Sequence, residues 1–166
     1  MMVNVRRAEQ HDIPAIKKIA TIAWHDTYQN IMAAGTIAQF LTAAYSEERL
    51  EKRLGDSLFL VAEADDEVIG FANFINGREL YLAAIYVMPD HQRNSVGEAL
   101  LNAGIAQFED YTELFVEVAS DNEGAGHFYN KHSFELVREY EEEIFGETVV
   151  TGLLKKPLES SRSHEQ

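Results

Sequence analysis

Nine consecutive apolar residues, Leu80-Tyr81-Leu82-Ala83-Ala84-Ile85-Tyr86-Val87-Met88, carry enough branched and aromatic side chains to predict a buried strand. Pro89-Asp90 ends it, and His91-Gln92-Arg93-Asn94-Ser95-Val96 shows no apolar periodicity. At Gly97 the spacing turns helical, with Leu100, Leu101, Gly104, Ile105 and Phe108 at offsets 0, 1, 4, 5 and 8. A strand that feeds a helix through a polar loop leaves amides without internal partners at the positive end of the helix dipole, which is the makings of an anion site.

The remaining pattern places elements on both sides of this unit. Val3-Asn4-Val5-Arg6 reads as an edge strand. Asp12 is the expected cap of a helix with Pro14 in its first turn and Ile13, Ile16, Ala20, Ala23 and Trp24 on one face. Gly35 is the expected break before a second helix from Thr36 to Leu54, whose charged end is a solvated face. Gly55-Asp56 then marks a shift to strands at Ser57 to Glu63 and Val68 to Ile75, joined by the acidic turn Asp65-Asp66-Glu67. Asn76-Gly77 leads into the central strand. Beyond the central helix come a strand at Leu114 to Val118 and a helix carrying Ala125, Phe128, Tyr129 and His132 at offsets 0, 3, 4 and 7. A closing hairpin, Phe134 to Glu143 and Thr148 to Leu154, turns at Phe145-Gly146-Glu147. Residues 1–158 read as one domain, and 159–166 as a disordered tail.

Composition narrows the functional classes. A chain of 166 residues is ample for one core, and the absence of cysteine removes thiolate nucleophiles, disulfides and cysteine-ligated zinc. No apolar stretch has the length of a membrane span and no signal peptide opens the chain, so a cytoplasmic location and no membrane partner are expected. Lys plus Arg number 14 against 28 Asp plus Glu, a net charge of −14. That balance repels nucleic acid and favours a cationic small molecule. There is no GxxxxGK[ST] phosphate loop, GxSxG elbow or HExxH pair, and His127 and His132 lie five apart on different helix faces, so no metal site is expected. Gly124-Ala125-Gly126 lacks the third glycine of a dinucleotide fingerprint.

Two stretches carry a family resemblance. Met88-Pro89-Asp90-His91-Gln92-Arg93-Asn94-Ser95-Val96-Gly97-Glu98-Ala99-Leu100-Leu101 resembles the acetyl-CoA signature of GNAT N-acetyltransferases, a Gln/Arg-x-x-Gly-x-Gly/Ala loop, with Ser95 in place of the first glycine. Asn122-Glu123-Gly124-Ala125-Gly126-His127-Phe128-Tyr129-Asn130-Lys131-His132-Ser133-Phe134 resembles the family element Asn-x-x-Ala-x-x-Phe-Tyr-x-Lys-x-Gly-Phe, with Ser133 for glycine. The resemblance implies an α+β GNAT fold: a mixed, mostly antiparallel twisted sheet of about seven strands, helices on both faces, and fourth and fifth strands that splay to admit the pantetheine arm of the cosubstrate.

The same resemblance implies roles. The backbone of Gln92, Arg93, Asn94, Ser95, Val96, Gly97 and Glu98 would cradle the pyrophosphate, with Arg93 adding charge. The edges of Ile85, Tyr86 and Val87 would bond the pantetheine amides, and Asn122 would hold the cofactor from the next strand end. Tyr129 matches the tyrosine that donates to the leaving sulfur. A phenol is a weaker acid than a thiol, which makes full proton transfer uphill by roughly 2 kcal/mol, so hydrogen bonding is the expected role. Where many relatives place a basic glutamate on the central strand, this chain has Tyr81 and Ala83. Glu79, Glu117, His25 and Asp26 are the substitutes.

Ala23-Trp24-His25-Asp26-Thr27-Tyr28 and Glu48-Arg49-Leu50-Glu51 are similar to the acceptor region of PaiA-like polyamine acetyltransferases. The expected activity is therefore acetyl transfer from acetyl-CoA to a primary amine such as a polyamine, by an enzyme that pairs as a homodimer, as relatives often do. The alternative is a degenerate domain that binds acyl-CoA as a sensor. Ser95, Ser133 and the missing glutamate favour the sensor, whereas Gln92, Gly97, Asn122 and Tyr129 favour the enzyme.

Overall fold

In the computed structural model, described for residues 2–92 and 95–159, seven strands form one sheet. They are β1 (Asn4–Arg7), β2 (Leu58–Ala64), β3 (Glu67–Asn76), β4 (Leu80–Val87), β5 (Glu113–Ala119), β6 (Glu135–Ile144) and β7 (Glu147–Pro157), in the order β1-β2-β3-β4-β5-β7-β6. Every neighbouring pair is antiparallel except β4 and β5. The mixed, mostly antiparallel sheet of the sequence reading is therefore what the chain forms.

Helices α1 (Ile13–Tyr28), α2 (Ala34–Tyr45) and α3 (Glu47–Asp56) cover one face; α4 (Val96–Ile105) and α5 (Glu123–Lys131) lie on the other. Strand β2 shows why both faces need cover. Leu58, Leu60, Ala62 and Ala64 pack into the cluster that contains Leu100 and Leu101 of α4, while Phe59 and Val61 pack with Ile16 and Ile19 of α1. Alternating side chains on a strand buried on both sides read as a continuous apolar run.

Three local expectations need correction. The single helix from Thr36 to Leu54 is two helices, parted at Ser46, whose backbone is extended and whose hydroxyl accepts from Arg49 N at 3.2 Å. A serine followed by two glutamates is a helix start, and here that local signal overrides the continuing apolar spacing. Gly35 sits inside the first turn of α2 and so does not break the helix, while Gly55-Asp56 still belongs to α3. Asp12 does not cap α1 through its side chain. Its carboxylate accepts from Arg6 at 2.8 and 2.9 Å and from Glu9 N at 2.7 Å. Burial alone would raise this carboxyl; the Arg6 guanidinium and the Glu9 N–H outweigh it and hold the pKa below the ordinary value.

Ser95 and Ser133, the residues in place of family glycines, both have positive φ, 62° and 71°. A left-handed L-residue costs about 1–2 kcal/mol, of which glycine's greater unfolded freedom returns part. Ser133 is exposed and its hydroxyl bonds nothing among the described residues. Ser133→Gly is accordingly expected to gain about 0.5–1 kcal/mol, a rise of roughly 2 °C in a thermal melt. An unchanged or lower melting temperature would show that serine is not strained there.

Candidate active site

Strands β4 and β5 share only three rungs, Leu80–Leu114, Tyr81–Phe115 and Leu82–Val116. Beyond them β4 runs on to Val87 and β5 to Ala119 without pairing to each other. A register shift against β3 leaves Ala83 as a bulge, since Asn73 pairs with Ala84 and Phe74 with Leu82. Bulges bend and twist a strand, and this one lies where the two strands part. The split opens a cleft of about 860 Å³ whose walls include Ala83 to Val87 of β4 and Val116, Glu117 and Val118 of β5.

The cleft has two unlike sides. On the side of α4 and α5 the lining includes Gln92, Ser95, Gly97, His127, Phe128, Tyr129, Lys131 and His132, together with the acids Glu98, Asp121 and Glu123. Ser95 stands before α4 in a left-handed conformation, and α4 has no side-chain cap bond, so its first amides are free for an anion. Gln92 Nε2 donates to Val87 O at 3.2 Å, which ties the loop to the end of β4. Gly97 is held small by Phe128, because a Cβ there would stand 3.0 Å from Cε1 of that ring. On the side of α1 the lining is Ala23, Asp26, Thr27 and Tyr28, which includes a carboxylate and no cation.

Tyr129 is buried with its ring edge-on to Phe128 and Phe134, and its hydroxyl makes no hydrogen bond among the described residues. Burial, and then the nearby Tyr28, raise its pKa well above the ordinary phenol value, so it remains a protonated donor. Tyr86 is raised in the same way, chiefly by burial, and accepts from Trp24 Nε1 at 2.8 Å. His132 is lowered, first by burial and then by Lys131 and Lys156, with Glu98 opposing. Asn122 caps α5 by accepting from Ala125 N at 3.1 Å, and its Nδ2 donates to the Tyr28 hydroxyl at 3.4 Å.

The split thus brings together Tyr129, Ile85, Tyr86, Val87, Gln92, Ser95, Gly97, Glu98 and Asn122. Val96 turns its side chain fully into the core, so only its backbone N–H faces the loop. Arg93 and Asn94 lie outside the described residues. Of the four candidate bases, Asp26 and Glu117 line the cleft; Glu79 and His25 are exposed and lie off its wall. Glu117 Oε2 accepts a hydrogen bond from the Tyr140 hydroxyl. Tyr81 packs at a tilt against Phe115, at 5.6 Å between ring centroids. Tyr28, in the sequence only one of the residues of the acceptor-like stretch Ala23 to Tyr28, lines the cleft, with its ring against Trp24 at 4.2 Å between centroids. Among the described residues no group of three His, Asp or Glu is placed to hold a metal, and no helix is long and apolar enough to cross a membrane.

The sheet split between two parallel strands, with free helix amides at its mouth and a phenol within, agrees with the cosubstrate cleft that the resemblance to GNAT N-acetyltransferases implies. The model of the acetyltransferase (GNAT) family matches residues 17–134. The Bacillus subtilis protein known as the uncharacterized N-acetyltransferase YuaI is 32% identical over 154 residues, 87% of each chain. The peptidyl-lysine N-acetyltransferase YiaC of Escherichia coli is 26% identical over 135 residues, 80% of this chain and 84% of that one. In fold, the PaiA N-acetyltransferase of Thermoplasma acidophilum, solved in complex with coenzyme A, superposes with a TM-score of 0.80 at 24% identity, over 95% of this chain and all of that one. The chain belongs to the GNAT acetyltransferase family, and it is an acetyl-CoA-dependent N-acetyltransferase.

Proposed function

We propose that the acceptor is a small cationic primary amine, such as a polyamine, that enters from the α1 side while acetyl-CoA enters from the α4 and α5 side. The observation that carries this reading is that, among the described residues, the free amides of α4 and Lys131, the one lysine of the lining, fall on the α4 and α5 side, whereas the α1 side offers a carboxylate and a phenol ring and no cation. Free amides at the start of α4, with Lys131 close by, suit a diphosphate. Asp26, Glu117 and the Tyr28 ring all line the cleft and suit an ammonium group through charge and cation–π attraction. The same reading places the protein in the cytoplasm. It also allows a homodimer through the β6–β7 hairpin, where Leu136, Val137, Phe145 and Val150 are exposed.

The residues present fit acetyl-CoA. Among the described residues Gln92 and Ser95 to Glu98 would hold its pyrophosphate with their amides, and Ile85 to Val87 its pantetheine arm with the strand edge left free by β5. When bound, acetyl-CoA supplies an acetyl thioester, whose transfer forms a C–N bond and breaks the C–S bond. The protein manages the protons. An aliphatic ammonium with pKa near 10.4 is neutral in about one molecule in 2500 at pH 7, a deficit of roughly 4.6 kcal/mol. Glu117 takes that proton: it lies on the cleft wall, and Tyr140 holds one of its oxygens and leaves the other for the amine. The Tyr140 phenol is raised by its burial and by this carboxylate, so it keeps its own proton and serves as the donor. Tyr129 donates to the sulfur.

Mass spectrometry of reactions with putrescine, spermidine, spermine and a lysine-bearing peptide tests the acceptor. Acetylated polyamine is expected, with Asp26→Asn raising its KM roughly 2- to 5-fold at little change in kcat, as loss of an exposed charge contact should. Peptide acetylation alone would exclude the polyamine. No product at all, with acetyl-CoA binding confirmed, would favour the sensor.

A further inference from the structure

We infer that the Tyr28 hydroxyl is a second hydrogen-bond donor at the reacting centre, directed at the acyl carbonyl oxygen while Tyr129 serves the sulfur; this rests on the proposed acetyl-CoA site. The starting point is the orientation of the Asn122 amide. Its Oδ1 must be the atom that accepts from Ala125 N, since only an oxygen can cap the helix there, and so its Nδ2 is the atom that meets Tyr28 Oη at 3.4 Å. Nδ2 can only donate. The phenol oxygen is therefore the acceptor in that bond, and its own proton is left to point elsewhere.

Among the described residues that proton has no acceptor, although Tyr28 is only 7% exposed and lines the cleft. The ring is fixed by Trp24, itself stacked on Phe40 at 3.9 Å between centroids. The proton is therefore free to meet a ligand in the cleft, and a neutral, positioned donor is what stabilises a growing negative charge. The attacking amine cannot be its acceptor, because the amine lone pair must form the new bond. The carbonyl oxygen can, since it gains charge as that bond forms.

Tyr86 is the competing phenol. Its hydroxyl is drawn back towards α1 by Trp24 Nε1, whereas that of Tyr28 reaches from α1 across to the start of α5, the helix that carries Tyr129. The two donors then stand on two helices on opposite sides of the split, one for each atom of the thioester that takes up charge. The burial-raised pKa values of both phenols agree with neutral donors across the ordinary pH range.

Infrared difference spectra of acetyl-CoA labelled at the carbonyl carbon, bound to the protein without amine, test the assignment apart from activity. Relative to wild type, Tyr28→Phe is expected to move the carbonyl band to higher frequency, and Tyr129→Phe to leave it in place. Asn122→Asp keeps a helix cap but turns the donor into an acceptor that captures the Tyr28 proton, so it should move the band as Tyr28→Phe does. In steady state Tyr28→Phe should lose about 100-fold in kcat, with the affinity for coenzyme A itself within about twofold. A band that stays put in Tyr28→Phe and Asn122→Asp, or that moves with Tyr86→Phe instead, overturns the inference and leaves the transferase reading standing. A wild-type protein that fails to bind acetyl-CoA overturns both.

Discussion

Tyr129→Phe should lower kcat by about 100-fold or more while leaving the melting temperature and the affinity for coenzyme A close to wild type. The size follows from the usual worth of a positioned proton donor, and 100-fold corresponds to about 2.7 kcal/mol of barrier. The selectivity follows from the structure. The ring contacts with Phe128 and Phe134, at 5.4 and 5.0 Å between centroids, survive the change. The hydroxyl that is lost holds nothing together, because it has no hydrogen bond among the described residues. A second consequence is a matter of sign. Burial raises the pKa of this phenol, so its proton is retained above the usual value of about 10, and no alkaline fall in kcat below that pH should come from Tyr129. Steady-state kinetics on the best amine, with calorimetry for coenzyme A, separate the outcomes. A variant within about twofold of wild type in kcat would move the leaving-group role to another residue.

The elements that were legible in the sequence are those whose signal is local. The run from Leu80 to Met88 appears as β4 up to Val87, and the Asp65-Asp66 and Phe145-Gly146 turns appear with positive φ at each residue, as two-residue hairpin loops require. The boundary at Ser46 was missed because one capping residue competes with an apolar spacing that continues through it. Asp12 was misread because its strongest partner, Arg6, lies on another element, and an ion pair with backbone support outweighs an N-cap. In the site, the loop and Tyr129 were singled out by resemblance to a family and line the cleft, whereas the side of the cleft on which each acid falls had no signal. Whether Glu117 or Glu79 reaches the cleft depends on where β4 and β5 part, and three rungs between residues some 34 positions apart leave no trace in local pattern. The Asn122–Tyr28 bond joins residues 94 apart. Long-range register, not residue type, decides which polar groups meet.

Gly104→Ala should destabilise the protein by about 2–4 kcal/mol, against the ordinary preference of a helix for alanine. In an open helix interior that exchange gains up to about 1 kcal/mol. Here a Cβ would stand 2.0 Å from Cε1 and 2.1 Å from Cζ of Phe74, which has no exposed surface. Ordinary carbon contacts lie near about 3.5–4 Å, so the ring or α4 must give by roughly 1.5 Å or more in a core packed to crystal density. The cost of overpacking of this kind exceeds the gain in propensity. Thermal unfolding should show a loss of about 5–15 °C. Phe74→Leu in the same background should recover part of it, the non-additivity expected of two side chains in contact. The effect should also reach the site. Phe74 is paired with Leu82, the last residue of β4 that is joined to β5, on one side of the Ala83 bulge. Moving that ring moves the point at which the sheet opens, so surviving folded Gly104→Ala protein should bind coenzyme A more weakly by calorimetry. A variant as stable as wild type would mean that α4 can lift from β3 at little cost, and that the position of the split is not set by this contact.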